Sequence, residues 1–472
     1  MNTIKKKLLS NLIYQSSYQV MLIVLPIITT PIITQRLSPD STGLYKYISS
    51  VAQYFILVGG LGLANYGVRE IALVKNNREQ LSQKFWELQY FNLFFSILTT
   101  LIYIIVSFFS SEKMLFLVYG IAVFSTVLDI SWLFSGLEDF KKITIRNFFI
   151  KSLSILAIIV FVQNDQDLWK YILINALSSF LGQAVLWVSL FKYIDFKIVE
   201  SKAIWSHFFP ALKFFIAKVA TIMYGNTTSF LLGILTVVSN VSLYSYSNNL
   251  IAIAASVLTA TNMVMIPRMT NMYASDNEKN MIRMFKKVIM AQLFLTIGLT
   301  FGIMATNEKL IGWFIDPQYR DIIPYVYLLA PSISFQILQM SAASMWLIPK
   351  NQMKEYNGSV LTGGFLCIFL NLITIPFLEV YGAVLSISLA YIYVCFVRFR
   401  YMYKNTDFRF DWVQIAKNIF GGITMLVVVM IATRQMESSI VTSLIQVILG
   451  VTVYLVISII LKSNPLLDIL KR

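Results

Sequence analysis

Fourteen apolar stretches, each long enough to cross a bilayer and separated by short polar connectors, run through this chain from end to end. Each approaches or exceeds the roughly 20 residues that an α-helix needs to span a hydrocarbon core of about 30 Å. This pattern predicts an all-α membrane protein with 14 transmembrane helices. The predicted spans are residues 11–34, 44–66, 88–110, 114–136, 147–163, 170–191, 208–234, 243–266, 286–306, 322–347, 358–378, 381–402, 413–433 and 439–461.

The composition leaves no room for a soluble domain. The chain is 57% hydrophobic and 13% charged, whereas about 25% of the residues of a typical soluble protein are charged. The net charge of +15 is high enough to suggest nucleic acid, but no segment combines clustered basic residues with interleaved aromatic ones. We therefore predict no nucleic-acid partner and look for function among the spans and the membrane lipids.

The basic residues are unevenly distributed between alternate connectors. When basic residues near the ends of spans are counted with the adjoining connector, thirty Lys and Arg residues fall on one side and seven on the other, and Lys218 lies deep inside a span, which accounts for all 38. The positive-inside rule places the richer side in the cytoplasm. Both termini are thus predicted to be cytoplasmic, and the connector from Asn307 to Asp321 external. The apolar run after residues 5–7 lacks a cleavage pattern and is read as an uncleaved first span.

The sequence contains no motif of a catalytic or metal-binding site. There is no GxxxxGKS/T phosphate loop, no HExxH and no GxSxG, so nothing indicates nucleotide hydrolysis or nucleophilic catalysis. Cys367 and Cys395 lie in adjacent spans, which argues against a disulfide framework. The only histidine, His207, is predicted to be an interfacial residue at a cytoplasmic membrane edge rather than a ligand. We predict a protein that is not an enzyme and that has no cofactor and no metal.

An internal repeat is suggested by a comparison at a fixed offset of 199 residues. Leu-Tyr-x-Tyr at 44–47 aligns with the same pattern at 243–246, and Arg69 aligns with Arg268 without a gap. Coincidence is an alternative, because aromatic and basic residues are enriched at span edges in any membrane protein. A true repeat predicts two parallel six-helix lobes related by a pseudo-twofold axis along the membrane normal, with the substrate site at their interface.

This repeat gives the predicted domain organisation. The N-terminal lobe, with spans one to six, covers residues 1–200, and the C-terminal lobe, with spans seven to twelve, covers residues 201–405. The last two spans, within residues 406–472, are additional helices.

Ionisable side chains inside predicted spans are candidate functional residues, because a charge at membrane depth is costly. Asp129 lies in span four, Lys151 in span five, and Lys213 and Lys218 in span seven. The functional interpretation is that the lysines bind an anionic head group while Asp129 binds a coupling cation. The alternatives are snorkelling to the surface for Lys151 and Lys213, and a structural ion pair for Asp129.

Uncharged polar residues are concentrated on spans one, two, seven and eight. Gln53 in span two and Asn226 in span seven are the members that we predict to contact substrate. If these spans line a cavity, a hydrated glycan could pass along it. Hydrogen bonding between helices is the alternative, since polar residues in membrane helices often serve that purpose.

The segment from Asp129 to Asn147, with sequence DISWLFSGLEDFKKITIRN, closely resembles the span-four to span-five signature of Wzx-type polysaccharide flippases. Gly43-Leu-Tyr45, residues 65–70 (NYGVRE), Pro267-Arg268 and residues 347–350 (LIPK) resemble further positions of that family. These matches extend over about three quarters of the chain. The last two spans agree in length and position more than in motif.

The resemblance implies a bacterial inner-membrane protein of the multidrug/oligosaccharidyl-lipid/polysaccharide exporter superfamily. Such proteins move undecaprenyl-diphosphate-linked oligosaccharides to the outer leaflet for assembly of capsule, exopolysaccharide or O-antigen. The partners implied are that lipid-linked glycan, membrane lipids, a coupling cation such as Na⁺ or H⁺, and a polymerase or other polysaccharide assembly proteins.

Motif positions that carry over from the family are Arg69, Arg146 and Arg268, together with Asp129, Glu138 and Asp139. Glu138, Lys142 and Arg146 are spaced four apart, so a continuous helix would stack them as a charged cytoplasmic stripe.

Three alternative functions are kept open. A flippase for teichoic-acid precursors belongs to the same superfamily, and the sequence separates the two poorly. A cation-coupled drug exporter should prefer acidic groups in its cavity, whereas this chain embeds one acid and several bases. A membrane glycosyltransferase or polymerase should have a larger external loop with catalytic carboxylates or arginines.

Overall fold

The computed structural model describes residues 24–465 and, before them, Ser17, Val20 and Met21. The start of the predicted first span and the basic residues at 5–7 lie outside the described residues, as do residues 466–472. The described chain is helical, and no strand occurs in it. Within it, eight helices are long and apolar enough to cross a membrane, or nine if one bent pair counts as a single span. The count of 14 spans therefore stays a prediction.

The chain forms two compact units, Met1–Ile222 and Met223–Arg472. The lobes predicted at 1–200 and 201–405, and the two additional spans at 406–472, stay a prediction. The helices of the first unit that we label are α1 Pro39–Gly60, α2 Leu63–Val74, α3 Arg78–Phe108, α4 Lys113–Phe124, α5 Ser131–Gly136, α6 Phe140–Phe161, α7 Leu168–Trp187, α8 Ser201–Trp205 and α9 Phe208–Ile222.

The second unit has long helices on both sides of one sharp turn. Helix α15 contains two helices that meet at Glu379, whose φ of 47° and ψ of −121° are not helical. The labelled helices of this unit are α10 Gly225–Leu235, α11 Val238–Ala274, α12 Glu278–Phe314, α13 Ile322–Leu329, α14 Ser332–Ala342, α15 Met353–Asn405, α16 Trp412–Ala432 and α17 Ile440–Ile460.

Much of the surface of these helices is apolar, as a bilayer requires. On α6, Phe149 is 66% exposed and Val160 is 61% exposed, and on α17, Ile448 is 66% exposed. Large apolar side chains on this scale would be unfavourable in water but are at no disadvantage against lipid tails. The exposed faces of α6 and α17 are therefore surfaces for lipid.

Several predicted spans are interrupted. Span two breaks at Leu61–Gly62 between α1 and α2, span four at Asp129–Ile130 before α5, and span seven at Met223–Tyr224 between α9 and α10. Span ten bends by 42° between α13 and the helix that follows it. Each break frees backbone groups that must find partners elsewhere, because hydrocarbon supplies none. The boundary between the two units falls at the break in span seven.

Gly62 allows two helices of the first unit to approach closely. Its φ is +79°, a left-handed conformation that glycine adopts without strain. A Cβ atom at this position would lie 2.6 Å from the carbonyl oxygen of Ala211 and 2.7 Å from the amide nitrogen of Phe215. Helix α9 therefore packs directly on the backbone of the α1–α2 junction.

Corresponding helix ends recur in the two units at an offset close to that of the predicted repeat, which stays a prediction. Helices α2 and α11 end at Val74 and Ala274, and helices α3 and α12 begin at Arg78 and Glu278, so the two connections are 200 residues apart. The equivalence of Arg69 and Arg268, which the offset of 199 requires, stays a prediction.

The predicted connector from Asn307 to Asp321 is shorter than the sequence suggested. Helix α12 continues to Phe314, so only Ile315–Asp321 connects it to α13. Asn307 is 1% exposed, and its Nδ2 donates to the carbonyl oxygen of Ile323 at 2.9 Å. The prediction that Asn307 begins the loop was wrong, because this polar side chain pairs with the neighbouring helix and the helical pattern continues past it.

Candidate functional site

The break in span four is stabilised by side chains from neighbouring helices. Gln89 and Asn92 on α3 donate to the carbonyl oxygens of Val127 and Thr126, each at 2.9 Å. The indole nitrogen of Trp187 donates to the carbonyl of Leu128 at 2.9 Å. These bonds satisfy carbonyls that a continuous helix would have paired internally.

Asp129 stands at the centre of this break. Its backbone is extended, with φ −72° and ψ 106°, and its Oδ1 accepts a hydrogen bond from the backbone N–H of Ser131 at 2.9 Å. Its own carbonyl oxygen accepts from the indole of Trp132 at 2.9 Å. The carboxylate thus accepts from the first N–H of α5 from a position just before the N-cap residue Ile130, and within the described chain it forms no ion pair. A coupling role for Asp129 stays a prediction.

The charged stripe predicted from Glu138 to Arg146 is not formed. Helix α6 begins at Phe140, and Glu138 precedes it with a φ of +59°. The Glu138 carboxylate accepts from Lys75 Nζ at 2.7 Å, while Lys142 Nζ donates to the hydroxyl of Tyr193 at 2.7 Å. The prediction of a continuous stripe was wrong, because the turn after α5 directs Glu138 towards α2 instead of along α6.

Asp139 and Arg146 each contact polar side chains of the first unit. Asp139 lies 3.5 Å from Lys142 Nζ. Arg146 is half-buried and donates to Gln183 Oε1 at 3.2 Å and to Asn147 Oδ1 at 2.6 Å. These contacts are compatible with a structural role for both residues, and a substrate contact for Arg146 stays a prediction.

His207 is the centre of a buried polar network that the sequence analysis did not foresee, and its position at a cytoplasmic membrane edge stays a prediction. It is 3% exposed, and its partners Tyr66 and Glu87 are each 4% exposed. Its Nδ1 lies 2.7 Å from the Tyr66 hydroxyl and its Nε2 lies 3.1 Å from Glu87 Oε2. Lys84 Nζ also donates to Glu87 Oε2, at 2.6 Å. No local pattern could have revealed this, because the partners are 141 and 120 residues away.

The protonation of His207 follows from these partners. Glu87 can only accept when ionised, so Nε2 carries the proton, and Nδ1 is free to accept from the Tyr66 hydroxyl. Burial lowers the pKa of His207, and its hydrogen bond to Glu87 opposes that effect. The imidazole is therefore neutral near pH 7, and the network joins α2 and α3 to the residue that precedes α9.

Helix α9 carries two of the predicted substrate residues. Lys213 and Lys218 are both exposed, and the packing at Gly62 together with the His207 network fixes the start of their helix on the first unit. Lys151 is exposed on α6.

The remaining predicted residues are distributed over four other helices. Gln53 on α1 and Asn226 on α10 are half-buried, while Arg69 on α2 and Arg268 on α11 are exposed. Among the predicted substrate residues, Lys213 and Lys218 share one helix. Substrate contacts at all of these positions stay predictions.

Two embedded cations were missed by the sequence analysis. Lys46 is half-buried on α1, seven residues after Pro39, with its Nζ 5.7 Å from the centre of the Tyr45 ring. Within the described residues its ammonium has no hydrogen bond or ion pair. It lies in predicted span two, residues 44–66, and should have been singled out on that ground.

The second missed cation, Arg398 on α15, is 2% exposed. Its Nε donates to Ser359 Oγ at 2.9 Å, and its Nη1 donates at 2.6 Å to both the carbonyl and the side-chain oxygen of Gln339. Its guanidinium also lies 5.2 Å from the centre of the Tyr356 ring. Arg398 ties three helical segments of the second unit together through neutral acceptors, and its position inside predicted span twelve was the available signal.

In the part of the chain that the structure describes, no group of three or more His, Cys, Asp or Glu side chains is arranged to hold a metal ion. Cys367 and Cys395 are both free and buried.

Comparisons with known proteins agree with this architecture. Residues 8–273 match the family described as "Polysaccharide biosynthesis protein". The chain is 20% identical over 388 residues to the "Putative O-antigen transporter" of Escherichia coli (strain K12), a match that covers 78% of this chain and 90% of that protein.

Two solved structures are similar in fold. The lipid II flippase MurJ in an inward closed conformation has a TM-score of 0.72 at 16% identity, covering 96% of this chain and 98% of that one. An inward-facing multidrug resistance MATE family transporter of the MOP superfamily has a TM-score of 0.62 at 13% identity, covering 83% and 97%. The predicted all-α fold of this superfamily is confirmed. These relatives carry the names of transporters or flippases and not of enzymes, which confirms the predicted transporter class.

Proposed function

Because this chain belongs to the polysaccharide biosynthesis protein family, we propose that it is a flippase for undecaprenyl-diphosphate-linked oligosaccharide repeat units. In this proposal it works in the bacterial cytoplasmic membrane, with both termini in the cytoplasm, and supplies capsule or exopolysaccharide biosynthesis. The multi-pass membrane fold and the family match support a lipid-linked cargo.

The observation that carries the proposal is an excess of embedded cations in the first unit. Lys46, Lys151, Lys213 and Lys218 all lie within predicted spans. Asp129, the embedded acid of the same unit, accepts a backbone hydrogen bond at the start of a helix, and the buried Glu87 just before predicted span three is paired with Lys84 and His207. The first unit therefore presents lysines without an equal number of free carboxylates, which suits an anionic diphosphate and not a cationic drug.

We propose that the lysines bind the diphosphate while the polyprenyl tail remains in the bilayer. The polar glycan cannot cross hydrocarbon unaided, and a hydrated path lined by residues such as Gln53 and Asn226 would spare it that cost. The two units would alternate access by rocking of one against the other, as in other transporters built from repeats. Coupling to Na⁺ or H⁺ through Asp129, and handover to a polymerase, are further parts of this proposal.

The test is glycan export by single lysine variants in a strain that lacks the chromosomal gene. Lys218→Ala and Lys46→Ala should lower surface polysaccharide strongly at normal protein level, and the lipid-linked precursor should accumulate on the cytoplasmic side. Lys218→Arg keeps the charge and should retain part of the activity. A lost charge-assisted contact is worth about 1.5–3 kcal/mol, or roughly a 10- to 150-fold loss of affinity.

Lys202→Ala is the matched control. Lys202 is exposed on α8, in a connector that is predicted to be cytoplasmic, so its removal should leave export unchanged. Lys197 is less suitable because it pairs with Glu79 at 2.7 Å. Export at the wild-type level by both Lys218→Ala and Lys46→Ala would refute the proposed role of the embedded cations.

A further inference from the structure

A cavity of about 300 Å³ lies in the second unit, at the end that carries the Ile315–Asp321 connector. Helices α12 and α13 form one part of its wall, and α16 and α17 with their connecting loop form the other. This volume lies at the small end of known ligand sites, so it suits a head group and not a whole glycan. The lining residues are Ala305, Glu308, Lys309, Tyr327, Met430, Ile431, Thr433, Arg434 and Gln446.

The cavity contains a buried acceptor whose orientation is fixed. The Thr433 hydroxyl donates its only proton to the carbonyl of Val429 at 2.8 Å, so it can only accept from Gln446, whose Nε2 lies 2.8 Å away. The amide of Gln446 therefore cannot flip, and its Oε1 remains as the free end. Gln446 is 2% exposed, and this oxygen has no hydrogen-bond partner in the described protein. A buried acceptor without a donor is costly, so a ligand that donates a hydrogen bond to this oxygen would be favoured.

Opposite charges line the same cavity without pairing. The Arg434 guanidinium and the Glu308 carboxylate both line it, yet neither makes a salt bridge or a side-chain hydrogen bond to the described residues. Lys309 adds a second cation, whose Nζ donates to the carbonyl of Met436 and keeps two further protons. The cavity thus offers two cations, Arg434 and Lys309, to an anionic group. It also offers the Glu308 carboxylate and the Gln446 amide oxygen to a positively charged donor.

The rim of the cavity faces lipid. Ile431 is 71% exposed and Met430 is 41% exposed, and both lie near the end of α16, a helix apolar enough to span the membrane. The wall itself is held in place, because Lys309 binds the Met436 carbonyl and Trp313 Nε1 donates to Ser443 Oγ at 2.8 Å. A ligand with an apolar tail could enter from the bilayer with its polar head in a preformed site.

We propose that this cavity binds the zwitterionic head group of a phospholipid with a phosphate and a primary ammonium, as in phosphatidylethanolamine. Arg434 and Lys309 bind the phosphate, and the ammonium donates to Gln446 Oε1 and Glu308. The acyl chains lie along Met430 and Ile431. By the predicted topology the site is at the outer leaflet, so it anchors the two last helices to that leaflet independently of the transported glycan.

The test measures binding of short-chain lipids to the purified full-length protein in detergent, by native mass spectrometry and by thermal shift. Dioctanoyl phosphatidylethanolamine should bind and stabilise the protein. Phosphatidylcholine, whose ammonium has no N–H, and phosphatidylglycerol, which has hydroxyls but no cation, should each bind about tenfold more weakly, the loss of roughly one charge-assisted hydrogen bond. Undecaprenyl phosphate should not compete, which distinguishes a membrane lipid from the cargo.

Two variants assign the binding to this cavity. Gln446→Leu removes the acceptor at nearly constant volume, and Arg434→Gln removes a phosphate contact. Gln446→Leu should abolish the preference for phosphatidylethanolamine, whereas Arg434→Gln should weaken the binding of all three lipids about equally, because each carries the phosphate; both variants should remain monodisperse. Arg320→Gln, in the neighbouring connector, should retain both the binding and the preference. Equal binding of the three lipids to the wild-type protein, a preference that survives in Gln446→Leu, or unchanged lipid binding in Arg434→Gln would overturn the proposal. Neither outcome depends on glycan export, so failure here leaves the proposed flippase function standing.

Discussion

The hydroxyl of Tyr66 lies 2.7 Å from Nδ1 of His207, which is 141 residues further along the chain. Both side chains are buried, and the contact joins α2 to the entry of α9. Glu87 holds the other ring nitrogen from α3. Three segments of the first unit therefore meet at the only histidine of the chain, and the helix that carries Lys213 and Lys218 starts from that point.

Replacement of His207 by alanine should destabilise the protein. The change leaves a cavity and deprives both Tyr66 and Glu87 of a partner, which together should cost about 2–4 kcal/mol. The thermal midpoint of the purified protein should fall accordingly. Tyr66→Phe removes one hydrogen bond only and should cost about 1 kcal/mol. If the two variants lower the thermal midpoint equally, the His207 side chain contributes no more to stability than its hydrogen bond with Tyr66.

The stability of the protein should depend on the charge of His207. Its folded pKa is lowered by burial, so the unfolded chain takes up a proton first as the pH falls below about 6.5. Stability should therefore be highest above that pH and decrease towards pH 5. The charged and titratable groups that act on the imidazole are Glu87, Lys84, Tyr66 and Glu70.

The measurement is the thermal midpoint between about pH 7.5 and pH 5.5, a range that brackets the ordinary histidine pKa, for the wild type and for His207→Gln. Because the chain contains one histidine, the difference between the two slopes reports this residue. The thermal midpoint of His207→Gln should change less with pH over this range than that of the wild type. Identical slopes would contradict the prediction that a neutral imidazole is required.

Substitution of Asp129 should separate its hydrogen bond to Ser131 from ion coupling. The change Asp129→Asn keeps an acceptor for the Ser131 N–H but removes the charge, whereas Asp129→Ala loses this hydrogen bond and should cost about 1 kcal/mol of stability. If the carboxylate couples transport to a cation, Asp129→Asn should fold normally and lose export. Normal export by Asp129→Asn, measured as surface polysaccharide, would contradict the coupling role and leave the hydrogen bond to Ser131 as the role of this side chain.

The predicted topology can be tested with single cysteines in a background that lacks Cys367 and Cys395. Ser275 and Gln318 are both exposed and fall on opposite predicted sides. On intact cells an impermeant maleimide should label Gln318→Cys and not Ser275→Cys. Asn307 is unsuitable because it is buried. Labelling of Ser275→Cys alone would invert the assignment.

The helical membrane class could be predicted from the sequence because it depends on hydrophobicity summed over short segments of the chain. Hydrophobicity over about 20 residues decides whether a segment can cross a bilayer, and the balance of Lys and Arg between connectors predicts its orientation. The signature from Asp129 to Asn147 pointed to the family in the same local way, and the match over residues 8–273 agrees with it.

The breaks and the buried contacts required the tertiary structure. Hydropathy treats span four as continuous, yet its break at Asp129 is stable because Gln89 and Asn92 supply donors from another helix. The buried network of His207 could not be predicted because its partners are distant in sequence, and Asn307 appeared to begin a loop because its acceptor belongs to the next helix. The sequence by itself determined the helical membrane class, since each residue's transfer to lipid is a local property. Only the tertiary structure decided which polar groups are satisfied there, since in hydrocarbon every donor must find its acceptor on another part of the chain.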